Sequence, residues 1–346
     1  LRLGIDLMGS DTSPLELFLP ILKITSTLSD HQYLIVFVTP AIFEKIHSLY
    51  RSFFDSPLSK KIIFSIADDE IYMGDEPLFA IRQKKKSSLV LGLKSLKKKQ
   101  IDGFITAGNT GALIAGATLW IPLLPGLSRP ALLALLPTKS NKKIAVLDVG
   151  GNVYCKSVNL LQFAFLGAVY QKCFQNISKP TVCLLNIGIE SKKGTTEIQQ
   201  AFNKLANLQS NNEPNLPFKF LGNMEGKEMF EGKADVIVTD GFSGNVLLKT
   251  SEGISAFIGQ YLQEHIEEIP EKFLHNFRRQ FSYEEAGGAV LCGLESLVIK
   301  CHGHSSPQAF GKAIENAITA IEKDAVGSLK KEYEFINPQK YLERVF

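Results

Sequence analysis

No C-x-x-C pair occurs among the five cysteines, Cys155, Cys173, Cys183, Cys292 and Cys301. An odd, unpaired set argues against a disulfide framework and a zinc knuckle, and fits a reducing, cytoplasmic compartment. Charge of one sign is also lacking: 38 basic residues stand against 35 acidic ones, for a net charge of +3. No whole-molecule field therefore favours nucleic acid, and no aromatics interleave the local lysine runs Lys84 to Lys86 and Lys97 to Lys99. The longest uncharged stretch, Gly103 to Ser128, contains Asn109, Thr110, Pro122 and Pro125. It reads as strand, loop and buried helix, not as a membrane span. Asp6 and Asp11 fall where a signal peptide would need its apolar core, so no export signal is expected. No G-x-G-x-x-G follows the first apolar run, which lowers the expectation of an ordinary dinucleotide site. Repeats and low-complexity tracts are absent too; the one loop-like stretch is the Asn- and Pro-rich Gln209 to Pro217.

What remains is ordinary globular composition, 45% hydrophobic and 21% charged over 346 residues. Short, continuously apolar runs suit strands buried on both faces: Leu3 to Leu7, Tyr33 to Thr39, Ile62 to Ile66, Ile101 to Thr106, Leu132 to Leu136, Ile144 to Val149, Val182 to Ile187, Phe218 to Leu221, Val236 to Thr239 and Leu297 to Ile299. Helical patterns lie between them, at Leu15 to Leu28, Glu76 to Lys98, Leu113 to Trp120, Val158 to Phe174, Thr196 to Leu208 and Pro307 to Glu322. Strand followed by helix, repeated, predicts an α/β fold with a doubly wound, mostly parallel sheet in one continuous domain over 1–346. The stretch 254–281 breaks the pattern. Ile254, Phe257, Ile258, Tyr261, Leu262, Ile266 and Ile269 recur at helical spacing before Pro270, which predicts a protruding helical hairpin. Such a stripe packs most often on its own subunit; a dimer contact or a membrane-touching tip comes next.

At least five of the strands stop at a small polar turn of glycine with Asn or Asp: Asp6 to Asp11, Ala107 to Ala112, Asp148 to Asn152, Asn186 with Gly188, and Asp240 to Asn245. In an open parallel sheet the ligand sits beyond the carboxyl ends of the strands, so these turns are expected to describe one polar site. Read in order with their neighbours, the segments GIDLMGSD (4–11), AGNTGAL (107–113), LSRPAL (127–132), LDVGGNVYCK (147–156), LLQFAFLG (160–167), LLNIG (184–188), FLGNMEG (220–226), TDGFSGNVLLKTSEG (239–253), GGAVLCGL (287–294) and CHGHSS (301–306) resemble the bacterial phosphate acyltransferases. Those enzymes make acyl-phosphate from acyl carrier protein thioesters at the start of phospholipid synthesis. The resemblance runs the length of the chain. It departs from the family at Gly9-Ser10, where two glycines are usual, at Gly151, where alanine is usual, and at His304, in place of a serine.

The resemblance implies a fold like those of the phosphotransacetylases and the isocitrate and isopropylmalate dehydrogenases. It also implies a cytoplasmic homodimer, held peripherally at the membrane where a glycerol-3-phosphate acyltransferase partner would consume the product. Its substrates would be inorganic phosphate and a long-chain acyl group on acyl carrier protein, in a reversible reaction needing no cofactor and no metal. Against that background, the turn Gly108, Asn109, Thr110 and Gly111, opening a helix at Leu113, is a candidate phosphate cradle, because amide N–H groups at a helix start favour an anion. A plain capping turn is the competing reading. Gly244 and Asn245 start a second helix, with Lys249 one turn further on.

Lys156 and Lys193 follow strand-end turns, with Asn152 and Asn186 beside them, and Arg129 offers a fork for phosphate or the pantetheine phosphodiester. Asp148 and Asp240 end buried strands and are expected to orient Asn and Lys neighbours; a metal cluster with Asp6 is the weaker option, because no ligand spacing joins them. His302 could protonate the departing sulfur. Arg278 and Arg279, with the lysine runs as second choice, are candidates for docking an acidic carrier protein. The rival readings are a short-chain phosphotransacetylase using acyl-coenzyme A, a decarboxylating dehydrogenase, and a non-catalytic module that senses an acyl thioester or phosphate.

Overall fold

The computed structural model describes residues 1–140, 142–210, 216–265, 270 and 287–345. The chain forms two compact units, Leu1–Leu123 with Glu284–Val326, and Leu124–Tyr283 with Gly327–Phe346.

The first unit carries strands β1 (Arg2–Asp6), β2 (Tyr33–Val38), β3 (Ile62–Ile66) and β4 (Gly103–Thr106). The second contributes β5 (Ala131–Pro137), β6 (Lys143–Leu147), β7 (Thr181–Asn186), β8 (Lys219–Glu225) and β9 (Val236–Val238). Two later strands, β10 (Ala289–Cys292) and β11 (Leu297–Lys300), return to the first unit. Helices α1 (Pro14–Thr25), α2 (Pro40–Leu49), α3 (Arg51–Phe54), α4 (Pro77–Gln83), α5 (Ser88–Lys97) and α6 (Thr110–Trp120) intervene in the first unit, and α7 (Ser157–Gln175), α8 (Thr196–Ser210) and α9 (Gly241–His265) in the second.

In the first unit the strand order is β3-β2-β1-β4-β11-β10, parallel except for the β10–β11 pair. Its core explains the apolar runs: Leu3, Ile5, Leu34, Val36 and Ile105 are fully buried, with Leu17, Phe18 and Ile21 of α1 packed on them. Each such side chain contributes about 1.5–3 kcal/mol by leaving water. Ser13 caps α1 by accepting from the Leu15 N–H at 3.3 Å, and Pro14 sits in the first turn, where its missing N–H costs nothing. In the second unit the order is β5-β6-β9-β7-β8, parallel except for β5–β6. Helix α7 is buried almost all round, which accounts for its continuous apolar sequence. Phe165 of α7 meets Phe218 and Tyr341 at ring-centroid distances of 5.1 and 5.3 Å.

The helix expected over Glu76 to Lys98 is two helices. Lys84 leaves helical geometry and its Nζ is drawn to the Asp75 carboxylate and the Glu70 carbonyl, while the Ser88 N–H donates to Asp69 O. Helix α6 begins at Thr110, three residues before the Leu113 start expected from the pattern, because Asn109 already caps it. Of the hairpin expected over 254–281, the first arm belongs to the long helix α9, and the remainder beyond His265 lies outside the described residues apart from Pro270. Among the described residues no helix is long and apolar enough to cross a membrane.

Candidate active site

In the first unit the site residues cluster after β1, β4 and β11, which are neighbours in the sheet. Asn109 ends the turn after β4. Its Oδ1 accepts the Ala112 N–H at 3.0 Å, and its Nδ2 donates to the carbonyls of Tyr72, Met73 and Asp75, each at 3.1 Å. One side chain thus caps α6 and fastens the loop Tyr72–Asp75. Asp6, at the end of β1, is buried; its carboxylate accepts from the Thr106 hydroxyl at 2.9 Å and the Met8 N–H at 3.1 Å. Thr106 Oγ1 in turn accepts the Gly108 N–H at 3.0 Å, so the start of the turn is set from below. Burial pushes Asp6 up to about 6, and its hydrogen bonds hold it back from rising further.

Those bonds consume the amides of Gly108 and Ala112. The N–H groups of Thr110 and Gly111, in the first turn of α6, make no hydrogen bond among the described residues. That leaves a pair of donors at a positive helix end.

After β11, the N–H of His304 donates to His302 Nδ1 at 3.1 Å, which puts the ring proton of a neutral His302 on Nε2. His304 lies 3.4 Å from the Asp11 carboxylate, and Gly303 O accepts the N–H groups of Asp11 and Thr12 at 3.0 and 3.1 Å. Lys300, almost wholly buried, donates to the carbonyls of Ala107 (3.3 Å) and Cys301. Sequence reasoning passed over Lys300; the signal available was a lysine closing an apolar strand, LVIK, where solvent cannot reach.

In the second unit the corresponding edge is the carboxyl end of β6, β9 and β7, again neighbours. Asp148 follows β6 and has no solvent exposure. Its Oδ1 accepts N–H groups of Leu132 (3.0 Å), Gly150 (3.2 Å) and Gly151 (2.7 Å). Its Oδ2 accepts the backbone N–H of Asn152 at 2.6 Å and that residue's Nδ2–H at 2.7 Å. A string of amides that would otherwise cradle an external anion is therefore occupied by the chain's own carboxylate. Burial pushes Asp148 up to about 6, against the five hydrogen bonds that favour its charged form.

Asp240 caps α9 through the Ser243 N–H at 2.8 Å and hydroxyl at 3.0 Å, while the Gly241 N–H donates to Asn152 O at 2.7 Å. A Cβ on Gly244 would sit 1.9 Å from Asp148 O, so only glycine lets α9 start so close to the end of β6. Asn245 is exposed and lies beside Gly150. Asn186, buried at the end of β7, donates to Lys193 O at 3.0 Å and accepts the Ile187 N–H at 2.8 Å. Lys249 is exposed and paired with Glu252 at 2.9 Å. Arg129, Lys156 and Lys193 are exposed and, among the described residues, make no ion pair. Arg278 and Arg279 lie outside the described residues.

A family model described as "Fatty acid synthesis protein" matches residues 1–327. The chain is 36% identical over 343 residues to the phosphate acyltransferase of Thermoanaerobacter pseudethanolicus, covering 96% of this chain and 98% of that one. It is 40% identical over 324 residues to the phosphate acyltransferase of Chlamydia pneumoniae, covering 93% and 95%. The chain belongs to the phosphate acyltransferase family. Among solved structures, the acyltransferase resembles a phosphotransacetylase from Staphylococcus aureus, with TM-score 0.56 and 18% identity over 93% of this chain and 94% of that one. It also resembles one from Streptococcus pyogenes, with TM-score 0.57 and 14% identity over 96% and 94%. At such identities the likeness speaks to fold: an α/β architecture with a mostly parallel sheet.

As an enzyme of lipid biosynthesis the acyltransferase must move an acyl group, and its thiols are unsuited to carry one. Burial, reinforced by Asp148 and Asp240, pushes Cys155 up to about 12, and burial raises Cys183, Cys292 and Cys301 as far. Cys173 is also raised. Each stays a thiol at neutral pH, and the thiolate is the nucleophilic form. Among the described residues no group of three or more His, Cys, Asp or Glu is placed to hold a metal ion.

Proposed function

We propose that the enzyme makes acyl-phosphate directly from a long-chain acyl group on acyl carrier protein and inorganic phosphate, reversibly, as the first step of phosphatidic acid synthesis. A phosphate oxygen attacks the thioester carbonyl carbon, a C–O bond forms, the C–S bond breaks, and the sulfur leaves as a thiolate that takes up a proton. Because a thiolate leaves readily and phosphate supplies its own nucleophilic oxygen, the protein's task is to gather anions and stabilise the oxyanion. The observation that carries this reading is the sorting of charge in the strand-end loops. The carboxylates Asp148 and Asp240 are spent on backbone N–H groups, whereas Arg129, Lys156 and Lys193 are exposed and make no ion pair among the described residues.

In this reading Arg129, Lys156 and Lys193 receive phosphate oxygens, with Asn152, Asn186, Asp148, Asp240 and Gly244 fixing the loops that present them. Gly108, Thr110 and Gly111 offer the helix-start amides; Asn109 sets that turn, and Asn245 lines the second loop. Lys249 would have to leave Glu252 to act. His302 Nε2–H faces the departing sulfur. The doubly wound, isocitrate/isopropylmalate dehydrogenase-like fold in one domain, the homodimer, the cytoplasmic site with peripheral membrane contact, the glycerol-3-phosphate acyltransferase partner and docking of carrier protein on Arg278 and Arg279 complete the proposal.

The test is phosphate-dependent release of free carrier thiol from a long-chain acyl carrier protein, run beside acyl-coenzyme A. Release from the carrier substrate that scales with phosphate supports the proposal. Turnover of acyl-coenzyme A alone would replace it with a phosphotransacetylase, and no turnover of either with a binding module.

A further inference from the structure

Helix α7 is apolar along nearly its whole length, yet it carries Asn159 and Gln162 into the interior at 4% and 3% exposure. Burying two amides is costly unless each finds partners. Their partners lie in or beside one short segment. Gln162 Nε2 donates to Gly126 O at 2.6 Å, and its Oε1 accepts the Ser128 hydroxyl at 2.8 Å. Asn159 Nδ2 donates to the same Ser128 Oγ at 2.7 Å, while its Oδ1 accepts the Lys156 N–H at 2.9 Å. From the other side, Asn152 Nδ2 donates to Pro130 O at 2.8 Å and Asp148 Oδ1 accepts the Leu132 N–H at 3.0 Å.

Residues 126, 128, 130 and 132 are thus all tied down. Arg129, between two tied neighbours, is exposed and makes no hydrogen bond or ion pair among the described residues. A fixed backbone beneath a free guanidinium lowers the ordering cost of binding an anion. Asn159 holds the backbone at Lys156 with one end of its amide and Ser128 with the other, so one side chain sets two cations.

We propose that Asn159 and Gln162 are positioning residues that hold Arg129, with Lys156, for a phosphate-type oxyanion, either inorganic phosphate or the phosphodiester of a pantetheine arm. This inference rests on reading Arg129 as an anion-binding residue. The experiment measures kcat, KM and melting temperature for Arg129→Ala, Gln162→Met, Gln162→Glu, Ser128→Ala and the double variant Arg129→Ala/Gln162→Met. It uses the full chain with long-chain acyl carrier protein and phosphate, and with an acyl-pantetheine lacking the phosphodiester.

Arg129→Ala is expected to raise the KM for the anion about tenfold, as for loss of a charged hydrogen bond. Gln162→Met is expected to raise the same KM about fivefold at nearly unchanged kcat, with no further rise in the double variant. Gln162→Glu, which keeps the acceptor for Ser128, should fall between. Ser128→Ala should follow Gln162→Met, and it answers the question should the latter not fold. A rise in KM for phosphate identifies phosphate as the ligand. A rise for acyl carrier protein, with none for the acyl-pantetheine, identifies the phosphodiester. A lower melting temperature with unchanged KM in Gln162→Met and Ser128→Ala, or additive effects in the double variant, overturns the positioning role while the Arg129 reading stands. No change of either KM in Arg129→Ala overturns both.

Discussion

Replacing Asp148 with asparagine separates the charge of this buried carboxyl from its shape, and its effect should depend on pH. The group is fully buried and titrates at about 6 in the fold, against an ordinary value of 3.8. The native state therefore binds this proton more tightly than the unfolded chain does. By linkage, its contribution to stability is greatest below the unfolded value and is lost as pH rises through 6. A gap of about 2 pH units, at 1.36 kcal/mol for each, sets a ceiling of about 3 kcal/mol, of which about 2.5 kcal/mol is gained between pH 7.5 and pH 4, still just above the unfolded value. Asparagine cannot titrate. It also turns an NH2 toward amide donors that the carboxylate accepted, a loss at neutral pH that removal of a buried charge partly offsets. Urea unfolding of both proteins at pH 7.5, 6, 5 and 4 should show the wild type's advantage over Asp148→Asn growing by about 2.5 kcal/mol on acidification. Asp6, which titrates in the same range, is present in both proteins and cancels. A difference that stays flat or shrinks toward acid would refute the reasoning.

Five further substitutions have expected outcomes. Gly244→Ala forces a Cβ to within 1.9 Å of Asp148 O and should cost at least about 3 kcal/mol in urea unfolding. In the same helix, Gly253→Ala meets nothing within 4 Å and should gain about 0.5–1 kcal/mol; the reverse order would contradict the close approach. Cys155→Ser should keep turnover within about threefold, since a protonated thiol carries no acyl group; a hundredfold loss would reopen covalent catalysis. Asn109→Ala removes four side-chain bonds to backbone and should cost about 2–4 kcal/mol, with faster proteolytic cleavage near Tyr72–Asp75. His302→Ala should lower kcat more than tenfold if His302 protonates the leaving sulfur, and a smaller loss removes it from that role.

The strand ends were legible in sequence because a buried parallel strand needs an unbroken apolar run, and the polar turn that stops it stands out: β3 and helix Pro307–Glu322 end where those patterns end, and β2 stops one residue short, at Val38, because Thr39 takes the N-cap position of the next helix. Strand β10 escaped notice. At four residues between glycine-rich segments, Ala289–Cys292 is defined by its antiparallel pairing with β11, which no local pattern announces. Helix α2 also escaped, although Thr39-Pro40 is a cap followed by a first-turn proline. The break between α4 and α5 depends on Lys84 reaching Glu70 and Asp75, contacts that helical periodicity cannot express.

Site residues were legible by type and not by commitment. Asp148, Asn109 and Arg129 look alike as polar residues at turns. Only the structure separates a carboxylate consumed by five donors and an amide consumed by four backbone partners from an exposed guanidinium with no partner among the described residues. Gln162 and Lys300 were invisible for the opposite reason: each lies in an apolar segment, and its importance comes from carbonyls or hydroxyls brought to it by the fold.

The most direct measurement supplies the enzyme with a long-chain acyl carrier protein and 18O-labelled phosphate and follows thiol release beside the mass of the acyl product. Direct transfer predicts one labelled acyl-phosphate for each thiol freed, and no thiol released before phosphate is added. Free fatty acid as the product, or thiol released without phosphate, would contradict it.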